Sequence, residues 1–159
     1  WRGWATAAAL GLAAAMVALP AVMRPEARAA AQAGPIAWLP FERAEIARHV
    51  SEGHAVFVDV TADWCLTCIA NKSLVLERAP VADALAAPSV VAMQADWTRP
   101  DPRISAFLEA QGRFGIPFNI VFGPAAPEGI ALSEVLTPGA VMDALTTASR
   151  ARVAAAPGE

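Results

Sequence analysis

Between residues 36 and 150 the chain alternates two hydrophobic rhythms. One has the 3.6-residue period of a helix, and the other is a nearly continuous apolar run of the kind a strand covered on both faces carries. PFERAEIARHVSEG (40–53) predicts an amphipathic helix with Phe41, Ile46 and Val50 inward and Glu42, Glu45 and Arg48 outward. AVFVDVT (55–61) predicts a buried central strand. From Cys65 to Arg78 the helical period returns, with Leu66, Ala70 and Leu74 on one line and Ile69 and Leu76 beside it. VVAMQA (90–95) and FNIVFG (118–123) predict two more strands, and IALSEVL (130–136) a short further one.

Capping residues bound the remaining helices. Asp101 and Pro102 open DPRISAFLEAQG (101–112), and Gly112 lies beyond its end. Thr137 and Pro138 open the last helix, 137–150. Strands and helices in this alternation predict one α/β layer domain on a mixed sheet, spanning 36–150.

The ends of the chain follow neither rhythm. Trp4–Met23 runs 20 residues without a charge, about the length that crosses a bilayer as a helix. Arg2 on one side and Arg24 and Arg28 on the other leave its orientation open, and Trp1 and Trp4 suit the headgroup level. The leading expectation is a transmembrane helix over 1–23. The alternatives are a cleaved signal peptide, for which RAAAQA supplies small residues in the A-x-A pattern, and a buried helix, which the lack of a polar face disfavours. The first residue is Trp1 rather than Met, as a fragment or a processed product would have it. RPEARAAAQAGP (24–35) reads as a linker, and 151–159 as a flexible tail.

Composition narrows the partners. The chain has 159 residues, net charge −3 and a pI near 5.4. Its basic residues are scattered, so nothing in it attracts nucleic acid. Hydrophobic residues make up 56%, above the usual ~45–50%, and the N-terminal alanines supply much of the excess.

The candidate chemistry is in ADWCLTCIA (62–70), which holds both cysteines of the chain, Cys65 and Cys68. Following a buried strand and opening a helix, Cys65 meets unpaired N–H groups and a helix dipole that favour a thiolate. Cys68 lies one turn further on, within reach of the Cys65 sulfur. One thiol of such a pair attacks a partner disulfide, and the other resolves the mixed disulfide. A structural zinc site needs four ligands, and the two histidines, His49 and His54, precede the strand. A c-type haem needs His after the second Cys, where Ile69 stands. A soft-metal, copper-type site on the two thiolates remains an alternative. A docking domain with incidental cysteines is another. A purely structural disulfide closing so short a loop would constrain little of the unfolded chain.

Four other residues bear on this site. Asp59 sits in an otherwise apolar strand, either as a strand-end acid facing solvent or as a buried acid of raised pKa that relays a proton to or from Cys68. Asp63 is expected to be an exposed loop acid; close to Cys65, its charge would raise that thiol's pKa. Trp64 is either an exposed docking residue or packing over the helix start. Pro117, in GIPF before a strand, implies a kink or a cis bond after Ile116.

Asp59, the W-C-x-x-C of Trp64–Cys68 and Ile116–Pro117, in that order and spacing, resemble thioredoxin-fold proteins. More narrowly, VFVDVTADWCLTC, VVAMQADWTRPDP and FGIPFNIVFG are similar to the C-terminal periplasmic domain of DsbD-type thiol:disulfide interchange proteins, nearest the ScsB-like branch. The resemblance covers about Ala37–Ala148. It implies that Cys65 attacks and Cys68 resolves, with no cofactor beyond the redox-active Cys65–Cys68 disulfide. Pro117 would be a cis-proline opposing them, shaping a substrate groove with the Ile116 backbone. It further implies that Trp4–Met23 is the last helix of a transmembrane redox domain in a bacterial inner membrane. That domain would donate electrons drawn from cytoplasmic thioredoxin, and periplasmic disulfide-bearing proteins would accept them. Ile69 departs from the pattern, since many relatives carry Lys after the second Cys.

Overall fold

The computed structural model describes residues 36–150. The expected membrane-spanning run, the linker and the C-terminal tail lie outside the described residues. Among those described, no helix is long and apolar enough to cross a membrane.

Five strands form one mixed sheet: β1 (Leu39–Pro40), β2 (Ala55–Thr61), β3 (Val90–Asp96), β4 (Phe118–Gly123) and β5 (Ala126–Ala131). Their spatial order is β1-β3-β2-β4-β5. β3 runs parallel to both β1 and β2, whereas β4 is antiparallel to β2 and to β5. The helices are α1 (Arg43–Ser51), α2 (Leu66–Asn71), α3 (Val81–Leu85), α4 (Pro102–Ala110) and α5 (Pro138–Ser149). A π-helical segment, Lys72–Leu76, continues α2.

The pleat of β2 divides the core. Ala55 and Phe57 point to one face, where they pack with Val121, Val75, Leu76, Val81 and the inner side of α5. Val56, Val58 and Val60 point to the other, against Ile46 of α1 and Ile104, Phe107 and Leu108 of α4. Each fully buried side chain of this size contributes roughly 1.5–3 kcal/mol relative to exposure. Because the sheet is covered on both faces, β2 and β4 read as unbroken apolar runs. Asp101 and Thr137 cap α4 and α5 through their side chains, which accept the Arg103 and Ala140 N–H groups.

Two expectations are corrected. The strand expected at 130–136 lies at Ala126–Ala131 instead. It pairs only with β4, and such an edge strand accommodates Pro127 and Gly129, which make the sequence look like loop. The first helix starts at Arg43, because Pro40 is taken into β1. The helix expected over 65–78 forms, with its apolar line facing outward: Leu66, Ile69 and Leu74 are exposed, while Cys68, Asn71, Val75 and Leu76 are buried. A buried Asn71 disguises the inner face as polar, and exposed leucines disguise the outer one as apolar. α3 carried no signal strong enough to be expected.

Candidate redox site

β2 delivers the chain to the sheet's upper rim, and the turn 62–64 reverses it into α2, with the Cys65 N–H donating to the Ala62 carbonyl at 3.0 Å. Cys65 is the N-cap of α2 in extended conformation. Its Sγ accepts the Cys68 N–H at 3.2 Å, so a sulfur does what a Ser or Asp oxygen does at other helix starts. Cys65 and Cys68 are joined as a disulfide with Cα atoms 5.2 Å apart. Both are buried, Cys68 the more deeply. Ile116 packs against Ala62, Cys65 and Cys68. The Ile116–Pro117 bond is cis, and Pro117 is buried at the head of β4.

Asp59 is 4% exposed, which removes the solvent-facing alternative. It lies on the sheet face that the π-helical segment and α5 cover, since its neighbour two residues back, Phe57, packs there with Val75 and Leu76. Burial pushes its carboxyl up to about 6; a hydrogen bond from Gln94 and the charge of Lys72 act the other way. The register places Gln94 on one side of Asp59 and Asn119 on the other. Three polar side chains therefore cross β3, β2 and β4 in a row, each flanked along its own strand by apolar residues. Both side-chain polar atoms of Asn119 are buried without a hydrogen-bond partner.

The turn before Cys65 is anchored from outside. The Asp63 N–H donates to Thr98 Oγ1 at 2.9 Å, and Trp64 Nε1 donates to the Thr98 carbonyl at 3.2 Å. Asp63 is exposed, as its loop position suggests. Trp64 is held through its indole nitrogen and remains 60% exposed, so most of its side chain faces solvent. Leu66, Ile69 and Phe114 are exposed as well. α2 is fastened from below by Asn71, whose amide donates to the Glu134 carbonyl at 2.8 Å and accepts the Leu136 N–H at 3.0 Å.

Sequence reasoning missed Gln94, Asn119, Asn71 and Thr98. Gln94 and Asn119 carried the signal that singled out Asp59, a lone polar residue inside an apolar strand. Asn71 and Thr98 had no such contrast with their neighbours.

A disulfide across C-x-x-C at the junction of a central strand and a helix, abutted by a cis-proline loop, defines a thiol:disulfide oxidoreductase. Residues 37–124 match the family model described as Thioredoxin-like, and the chain belongs to that family. No curated protein sequence matches it. Among solved structures, the oxidised C-terminal domain of DsbD from Neisseria meningitidis is similar at 23% identity, with 67% of this chain and 95% of that one covered and a TM-score of 0.51. The reduced form of that domain gives 20% identity, 69% and 99% coverage and a TM-score of 0.51. A thioredoxin from Thermus thermophilus gives 16% identity, 70% and 86% coverage and a TM-score of 0.53. At these identities the likeness is one of fold.

Proposed function

We propose that this domain is a protein-disulfide reductase that takes electrons from a membrane redox domain and passes them to periplasmic disulfide-bearing proteins. The observation that carries the reading is the seat of the Cys65 sulfur, which receives a backbone N–H at a helix start beside the Ile116–Pro117 loop. In the reduced protein that N–H and the helix end favour a Cys65 thiolate. The thiolate attacks one sulfur of a partner disulfide; that S–S bond breaks, and the other partner sulfur leaves as a thiolate. Cys68, giving its proton to the Asp59 carboxylate, then attacks the Cys65 sulfur and releases the second partner thiolate. Two electrons have moved to the partner, and the Cys65–Cys68 disulfide remains. A donor dithiol restores the pair by the reverse exchange.

Exposed Trp64, Leu66 and Ile69 flank the pair and offer partner chains an apolar landing surface. The membrane assignment is supported by the charge-free run Trp4–Met23, and the periplasmic location by the resemblance to DsbD-type C-terminal domains. The DsbD-type role is supported by A-D-W-C-x-x-C after the V-x-V-D strand.

Two measurements test the proposal. A Cys65–Cys68 reduction potential near −270 mV, roughly that of thioredoxin, fits a reductant, and one near −120 mV, roughly that of DsbA, refutes the direction. Cys68→Ala should trap partners in mixed disulfides through Cys65, and a Cys65→Ala variant with normal reductase activity would refute the mechanism.

A further inference from the structure

At the opposite end of β2 from the disulfide, α1 stops in a tight hydrogen-bonded turn. The Gly53 N–H donates to the Val50 carbonyl at 3.1 Å, and the His54 N–H reaches back to the His49 carbonyl at 3.0 Å. These are the paired bonds of a Schellman motif, with Glu52 as the C-cap of the helix and Gly53 at φ +93° making the reversal. The motif brings together the side chains on either side of the reversal, a pair that is commonly apolar. Here both are histidines, and their rings meet edge to face with centroids 6.1 Å apart.

Glu52 completes the cluster. Its Oε1 accepts from Arg48 Nη1 at 2.7 Å, which leaves Oε2 facing His49 Nδ1 at 3.5 Å and His54 Nδ1 at 3.9 Å. The His54 Nδ1 is buried and has no hydrogen-bond partner. One ligand atom from each residue lies within 4.8 Å of the other two. A tetrahedral zinc ion with bonds of about 2.0–2.2 Å sets its donors about 3.4 Å apart, so the three need move only by a fraction of an ångström to about one ångström.

We infer that His49, Glu52 and His54 form a binding site for a borderline divalent transition-metal cation, of which Zn(II) is the type. Two imidazole nitrogens and one carboxylate oxygen suit such an ion better than Mg(II) or Ca(II), which prefer all-oxygen shells. The end of α1 favours a cation there, and the solvent-facing side leaves a fourth position for water. Arg48 is the competing charge: its Nη2 lies 3.2 Å from His49 Nε2. When Nδ1 binds the metal, Nε2 carries the ring proton, so this exposed guanidinium swings away while its bonds to Glu45 and Glu52 Oε1 remain available. The seven residues of β2 separate the site from Cys65 by about 23 Å at the usual rise per residue, so the two sulfurs take no part.

The test is calorimetric titration of the tag-free, full-length, disulfide-form protein with Zn(II), with Co(II) absorption to report donor type. The expected result is one saturable equivalent, weakened at least about tenfold, or ~1.4 kcal/mol, in His49→Ala and in His54→Ala. Binding should be unchanged in Cys65→Ser/Cys68→Ser. Circular dichroism establishes whether each variant folds before its binding is read. Absence of saturable binding overturns the inference. So does binding that survives in His49→Ala/His54→Ala, or that disappears with the cysteines.

Discussion

The Gln94 amide donates to Asp59 Oδ2 at 3.1 Å across the parallel β2–β3 ladder. Among the described residues it is the one side-chain hydrogen bond that this buried acid receives, and it stabilises the charged form of the acid against burial. Several outcomes depend on this arrangement and on the contacts around it.

Asp59→Asn should stabilise the protein at neutral pH. A carboxyl raised from 3.8 to about 6 keeps its proton longer in the folded state than in the unfolded one. Stability from this group is therefore full below about pH 4 and falls as pH rises through about 6, by about 3 kcal/mol in all. Urea unfolding at pH 4 and pH 7.5 should show the variant gaining on the parent only at the higher pH. Equal differences at both would refute the assignment.

Gln94→Leu removes a bond that holds the Asp59 pKa down, so that pKa should move above about 6. A carbon-13 NMR titration of the Asp59 carboxyl reads this directly. An unchanged or lowered midpoint would show that Gln94 does not act on the acid.

Asn71→Ala should cost roughly 2–4 kcal/mol, because it strands the Glu134 carbonyl and the Leu136 N–H. Hydrogen exchange should also accelerate at α2 and at 132–136 together, although the two are far apart in sequence. Exchange that rises in only one of them would contradict a shared clasp.

Gly123→Ala places a methyl group on the Ala148 backbone, 2.6 Å from its carbonyl carbon. Since α5 has to shift, the expected loss is about 1–3 kcal/mol. Chemical denaturation measures it, and a neutral result would mean that α5 is not held against β4 as described.

Trp64→Ala should change stability by less than about 1 kcal/mol, since the side chain is mostly exposed. Its effect should fall on KM for protein disulfides and spare small-molecule disulfides. Equal loss on both would assign Trp64 to the chemistry instead of to docking.

Much of this was legible before the structure. The central strands and the capped helices declared themselves because a twice-covered sheet leaves apolar runs and caps leave Asp-Pro and Thr-Pro. The cysteine pair and Asp59 stood out by contrast with their neighbours. β5 stayed hidden because an edge strand tolerates Pro127 and Gly129, which ordinarily mark loops. The inward face of α2 was not legible because tertiary hydrogen bonds, not hydrophobicity, hold Asn71 inside. Contacts such as Asn71 to Leu136 join residues 65 positions apart, and no local period encodes them.

That separation bears on how the domain is made. A ribosome has finished both cysteines by residue 68, yet the loop that fastens their helix is not synthesised until residue 136. Pro117 and the whole of β4, which flank the pair and β2, also come late. While residues 69–136 are being made, the chain therefore carries two cysteines whose helix lacks its clasp, and until Pro117 is added it also lacks the loop that abuts them. The clasp on α2 and the proline loop beside the cysteines can therefore form only once nearly the entire domain has been made.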